Sequence, residues 1–248
     1  MLAKCVLNLA LLCALACSGG VTQHDSPESD EPLIVPAGVI VSARPATNSA
    51  FGVVALTLRE GASGAELFAA VRNDGKVPAC NPSFSVELLD QDQQTLALGI
   101  SGLMMQHFYR LTDGSRTIAG CAAPGEVTMV SITNLSLDTA LADVRQVVYS
   151  SSYWLLDVAA IDGIRVTEVR PALSSTGVAY TGVLSNGLDV PLGNPSVAIF
   201  PLTSVGRPLG VAFGSGTALV PPGGSWRFET NTVSDPGADY AAFPTTSP

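Results

Sequence analysis

The sequence predicts an all-β protein made of two tandem antiparallel β-sandwiches, and three observations predict it. The first is an internal repeat. Residues 65–98 match residues 178–211 without a gap, and Asn73-x-x-x-Val77-Pro78-x-x-Asn81-Pro82-Ser83 recurs as Asn186-x-x-x-Val190-Pro191-x-x-Asn194-Pro195-Ser196. A repeat of this length implies two copies of one folding unit. The second is a set of short apolar or alternating runs of strand length: Val53–Leu58, Phe84–Leu89, Val127–Ile132 and Ile164–Val169. The third is the turn chemistry between the runs, at Asn73-Asp74-Gly75, Asn81-Pro82, Asp113-Gly114, Asn186-Gly187 and Pro222-Gly223-Gly224. No segment after the first sixteen residues carries a long, capped 3.6-residue stripe.

The two copies differ in length. Leu89 and Leu96 match Leu202 and Leu209 at an offset of 113 residues, whereas Pro124-Gly125 matches Pro222-Gly223 at 98. The first copy therefore carries fifteen extra residues, and the sequence places them between Gly99 and Cys121. Ala142-Asp143 is expected to match Ala238-Asp239 near the close of each copy. The resulting division is a leader at 1–16, an acidic tether at 17–36, a first sandwich at 37–157 with an inserted loop at about 100–120, and a second sandwich at 158–248.

The leader begins Met1-Leu2-Ala3-Lys4, and an apolar run from Cys5 to Ala16 follows, interrupted by Asn8. At about 1.5 Å per residue the run is too short to span a hydrocarbon core of about 30 Å. A charged start, a short apolar stretch and small residues at a cut site make a signal peptide. Ala14-Leu15-Ala16-Cys17 resembles a bacterial lipobox, with Ala14 where that family more often has Leu. The resemblance implies cleavage before Cys17 and a diacylglycerol on its thiol. Ser18 after the Cys, rather than Asp, then favours the outer membrane or cell surface. The same Ala14-Leu15-Ala16 also satisfies ordinary signal cleavage, which would leave a secreted or periplasmic protein. From Ser18 to Pro32 there are four acids, no Lys or Arg and little apolar bulk, so this stretch is expected to be a flexible spacer.

The whole chain has 12 Lys and Arg against 21 Asp and Glu, a formal net charge of −9, and loss of the leader removes one Lys more. An acidic chain without a basic stripe does not suit nucleic acid or a polybasic membrane patch. The expected contacts are the membrane, through the lipid, and an unidentified envelope protein or glycan.

Each copy also has a strand ending in Asn (Leu67 to Asn73 in the first), a turn, a strand such as Val86-Glu87-Leu88-Leu89-Asp90, and a Pro-Gly before a late strand. This resembles the FxLYD-type immunoglobulin-like domain of bacterial envelope proteins and lipoproteins. The second copy departs from it with Ile199-Phe200-Pro201-Leu202-Thr203. The resemblance implies an immunoglobulin-like sandwich outside the cytoplasm, and no catalytic residues.

Cys80 and Cys121 are the pair left once Cys5 and Cys13 go with the leader and Cys17 takes the lipid. The second copy has Gly193 and Leu219 at the aligned positions, so both cysteines are absent together. In an oxidising compartment they are expected to form a disulfide, with Cα atoms about 4.4–6.8 Å apart. Closing this loop stabilises by about 4 kcal/mol in the chain-entropy model. Two thiols are too few for a closed metal site.

His107 is the one histidine of the folded part; His24 falls in the tether. A hydrolase would have to use His107 with an unmarked Ser, and no G-x-S-x-G elbow is present. Met104, Met105, His107, Phe108 and Tyr109 cluster in the extra residues. Three uses are open to them: packing on the sandwich, a partner-binding loop, or a copper site of thioether and imidazole through Met104, Met105 and His107. Asp90 and Asp92 are expected to cap a turn, and the twin Asn-Pro-Ser segments are expected to be structural. The expected function is a non-enzymatic envelope lipoprotein, a binding or structural module without a cofactor. The alternatives are an exported hydrolase using His107 and a copper carrier.

Overall fold

The computed structural model describes residues 33–34, 40–46 and 49–245, apart from 114, 116 and 162. The expected leader, Cys17, His24 and the tether up to Pro32 lie outside the described residues. The first copy supplies β1 (Leu33–Ile34), β2 (Ile40–Pro45), β3 (Phe51–Gly61), β4 (Gly64–Asn73), β5 (Ala79–Leu89), β6 (Thr95–Gly102), β7 (His107–Leu111), β8 (Ile118–Ala122), β9 (Val127–Leu135) and β10 (Gln146–Trp154). β11 (Val158–Ile161) lies in the connection. The second copy supplies β12 (Ile164–Ser174), β13 (Gly177–Asn186), β14 (Ser196–Leu202), β15 (Ala212–Ser215), β16 (Ser225–Glu229) and β17 (Asp239–Pro244). One 3-10 turn, Leu141–Asp143, is the helical element among the described residues.

The protein is all-β, and its sheets are antiparallel apart from one strand pair. In the first half the sheet β3-β4-β9 faces a larger one of order β1-β2-β10-β5, in which β6 and β8 share the far edge of β5 and β7 and β11 continue beyond β8. β2 and β10 are a parallel pair. In the second half β12-β13-β16 faces β15-β14-β17. Alternation decides which side chains meet. On β5, Phe84, Val86 and Leu88 are buried between the sheets, and the intervening Ser83, Ser85 and Glu87 face outward. Two apolar cores result, one around Leu56, Leu67, Val71, Phe84, Val130 and Val147, the other around Tyr180, Leu184, Val197, Ile199 and Phe228.

The register reproduces the repeat residue by residue. Ser83 pairs with Gly102 as Ser196 pairs with Ser215, at the 113-residue offset. Arg72 pairs with Val127 as Ser185 pairs with Ser225, where the offset has dropped to 98. Ala79 pairs with Ala122 as Leu192 bridges Val220. The fifteen extra residues therefore fall between Gly102 and Ala122, and β8 has a counterpart in the second copy. One expected match fails. Gln146 stands opposite Leu89 as Asp239 stands opposite Leu202, so Asp239 corresponds to Gln146 and not to Asp143. The chain before β10 turns differently in the two copies.

Several expected boundaries also shift. Leu33 and Ile34, placed in the tether, pair with Val41 and Ile40. The expected inserted loop is a strand, β7, paired with β8. β11, expected to open the second sandwich, pairs with β7 of the first. Asn81-Pro82 lies inside β5 rather than between strands, with Asn81 at φ 45°. Its counterpart Asn194, at φ 49°, precedes β14. The pairing of Cys80 with Cys121 carries β5 past that irregularity in the first copy.

The halves meet face to face. The outer side of β3-β4-β9 contributes Phe68, Ala70 and Met129, and β14 and β17 contribute Ala198, Phe200, Leu202 and Phe243. Each buried large side chain there adds about 1.5–3 kcal/mol. Thr57 Oγ1 donates to Pro208 O at 2.5 Å, and Arg59 Nη1 donates to Leu209 O at 2.6 Å. Arg59 also stacks over Phe68 with Cζ 4.9 Å from the ring centre. This contact explains why β4 and β14 read as continuous apolar runs: both of their faces are covered.

Candidate functional site

Two buried asparagines set the ends of the sandwiches. Asn73 Nδ2 donates to Val77 O at 3.1 Å and Ala122 O at 2.9 Å, and its Oδ1 accepts from Gly75 N at 2.9 Å. Asn186 Nδ2 donates to Val190 O at 2.9 Å and Val220 O at 3.0 Å, and its Oδ1 accepts from Leu188 N at 3.0 Å. The Pro-Gly turns dock on these same residues, with Gly125 N donating to Asn73 O and Gly223 N to Asn186 O, both at 2.8 Å. The shared motif is thus a bolt from one sheet to the turn of the next.

In the first copy the bolt also fixes an acid. Asn73 N donates to Glu126 O at 3.0 Å, which holds Glu126 at the entry to β9. Glu126 Oε2 accepts from Ala123 N at 2.6 Å. Oε1 is buried without a hydrogen bond. His107 Nε2 stands 3.8 Å from it; the glutamate side chain is 10% exposed and the imidazole 57%. Burial pushes the Glu126 carboxyl above its ordinary range, while the Ala123 N–H and His107 pull the other way. Burial likewise raises Tyr109, and the Glu126 charge adds to the rise.

His107 is positioned by a short relay. Cys80 and Cys121 are disulfide-bonded, directly opposite each other on β5 and β8, and His107 pairs with Cys121 across β7 and β8. The two Cα atoms lie 3.9 Å apart, closer than the expected range.

The five clustered residues do not act together. Met104 packs at the contact between the halves, and Met105 enters the first core. Phe108 is part of the second core. Tyr109 packs against the disulfide. His107 alone is largely exposed. Met104 and Met105 pack in different clusters and the His107 ring is turned to solvent, so the two thioethers diverge and neither joins the imidazole. Among the described residues no group of three or more His, Cys, Asp or Glu could hold a metal ion. Met105, Phe108 and Tyr109 are buried, and the insert contributes a strand that joins the first half to the second. Arg110 Nη2 adds an ion pair to Asp189 Oδ1 at 2.6 Å. Asp90 caps a turn as expected: its Oδ1 accepts from Asp92 N and Gln94 N, both at 2.8 Å.

Beside His107 the insert, the connection and the last strand leave a cleft of about 490 Å³. Phe108, Ile161, Ile164 and Val166 line its apolar side, and His107 and Arg165 bring nitrogen donors. Gly163 lets Phe108 close against the connection, since a Cβ there would fall 2.8 Å from Phe108 Cδ2. Sequence reasoning did not single out Glu126 or Arg165. A signal for Glu126 existed: the second copy, which lacks the insert and so any counterpart of His107, has Gly224 at the position of Glu126.

No family model matches the chain, and no curated protein matches it. Among solved structures, the crystal structure of red sea bream transglutaminase is similar over 79% of this chain and 27% of that one, at 10% identity and a TM-score of 0.20. The chain spans about a quarter of that protein's length.

Proposed function

We propose that the chain is a non-enzymatic, exported lipoprotein: two immunoglobulin-like sandwiches on an acidic tether, held on a bacterial membrane through Cys17 and serving as a binding or structural module of the envelope. The observation that carries this reading is the placement of the extra residues. They form a strand that ties the connection and the second core to the first sandwich, through Phe108, the β7–β11 pairing and the Arg110–Asp189 ion pair. That is the construction of a fixed two-part surface. The lipobox-like Ala14-Leu15-Ala16-Cys17 supports the anchor.

The test is fractionation and fatty-acid labelling of cells producing the wild-type chain and Cys17→Ser. The wild type is expected in membranes and labelled, the variant soluble and unlabelled. A wild-type chain that starts at an unmodified Cys17 would replace anchoring with plain secretion. A pull-down from envelope extracts then tests the binding role.

One observation favours a second reading, an exported hydrolase using His107: the imidazole stands beside a buried carboxylate at the edge of a cleft. A nucleophilic hydroxyl bonded to His107 is absent among the described residues. Ester hydrolysis by the purified chain that disappears in His107→Gln would establish this second reading.

A further inference from the structure

We infer that the cleft beside His107 is a binding site for a small amphipathic acid, a carboxylate head on an aliphatic chain. The inference rests on the reading of the chain as a binding module and is independent of its anchoring. The site is peculiar to one copy. Its walls come from three separate places in the sequence: Gln106, His107 and Phe108 from the insert, Ile161 and Gly163 to Thr167 from the connection and β12, and Ala242 and Pro244 from β17. The second copy has no equivalent of the first wall, so the repeated scaffold does not account for the cleft.

Its size and lining select the ligand. A volume of about 490 Å³ lies within the range of about 300–1,000 Å³ typical of small-molecule sites. Ile161 and Val166, half-buried over the packed Phe108 and Ile164, offer hydrocarbon contact. The polar side is rich in donors, with the Arg165 guanidinium, the Gln106 amide, the Thr167 hydroxyl and the His107 ring. Glu126 Oε1 lies buried behind His107 with no hydrogen-bond partner of its own. His107 Nε2 stands 3.8 Å from that oxygen, so an anionic head group in the cleft places the ring between two carboxylates. Charge-assisted bonds of this kind are stronger than neutral ones. The acidic tether and the net negative charge keep such a site selective, because an acid gains little from the rest of the surface.

The experiment uses decanoate as probe, with mature chain prepared without detergent from Cys17→Ser cells. Calorimetry is expected to show saturable binding, and amide NMR shifts are expected at Phe108, Ile164 to Thr167 and Ala242. His107→Gln, at an exposed position, should weaken decanoate binding by about tenfold, the loss of one charge-assisted hydrogen bond. Thr167→Trp, which fills the cleft from its exposed rim, should abolish it. Decyltrimethylammonium should bind at least about tenfold more weakly than decanoate. The inference is overturned if decanoate shows no saturable binding, if the shifts map elsewhere, if both variants bind like the wild type, or if the cation binds equally well. Failure here with a successful envelope pull-down would leave the binding role intact and remove only the cleft. Failure of both would remove the binding role as well.

Discussion

Replacing Phe108 by Ala tests whether the insert belongs energetically to the second half. Phe108 sits on β7, in the sheet of the first half, yet its ring is 5% exposed and packs in the core with Ile164, Tyr180, Leu184 and Phe228. Truncating a buried Phe to Ala costs about 3–5 kcal/mol, a large part of the ~5–15 kcal/mol that holds a typical domain. Urea unfolding should show a loss in that range. Hydrogen exchange should show where it falls: amides of β12 and β13 should lose protection together with those of β7. Gly163→Ala should reproduce part of the effect from the opposite wall, because its new methyl would sit 2.8 Å from Phe108 Cδ2 and 3.0 Å from Phe108 Cβ. A loss below about 1 kcal/mol, the level of an ordinary substitution, would refute the reasoning. So would a loss of protection confined to β7 and β8.

Asn73→Ala and Asn186→Ala should each cost about 3 kcal/mol, since each removes three hydrogen bonds worth about 1 kcal/mol apiece; chemical denaturation giving a clear loss for one and none for the other would show that the bolts are not equivalent. Cys80→Ser with Cys121→Ser should lower stability by up to about 4 kcal/mol, and thiol counting on unreduced, unfolded wild-type protein should find neither cysteine reactive. Glu126 is an acid whose carboxyl is raised in the fold by burial. Its contribution to stability is therefore fully present below the ordinary carboxylate range and lost as pH rises through the raised value. Glu126→Gln should be more stable than wild type at neutral pH and flatter over that window in thermal melts. An unchanged or steeper profile would mean that His107 fully compensates the buried charge.

The repeat carried most of what could be read in advance. Asn73 and Asn186, with their Pro-Gly turns, were visible because the same buried hydrogen bonds demand the same residues twice. The disulfide was visible because Cys80 and Cys121 are missing together from the second copy. The role of the insert was visible in part. Packing of Leu103, Met104 and Phe108 on the sandwich was one of the open readings, and all three are packed, but composition does not say which surface a segment meets, and Phe108 meets the second half. The contact between the halves left a trace in Leu67-Phe68-Ala69-Ala70-Val71 and Val197-Ala198-Ile199-Phe200, where alternation gives way to unbroken apolar runs. Such runs mark a strand covered on both sides, and the second covering layer is the other half of the same chain. The cleft was out of reach, since its walls come from residues that are distant in sequence.

The covered faces have counterparts that are open. Ala198, Phe200 and Phe243, which press on the first half, correspond through the register to Ser85, Glu87 and Ser150. Phe68 and Met129 correspond to Thr181 and Arg227. The outer faces are more polar at these positions, although Leu98 and Ile100 stand exposed opposite Glu87 and Ser85. In stacked repeat proteins, terminal units with polar outer faces end the array and keep it soluble. By the same logic, a unit docking on either outer face in the manner of the observed contact would meet serine, glutamate, threonine or arginine where that contact has alanine, phenylalanine or methionine.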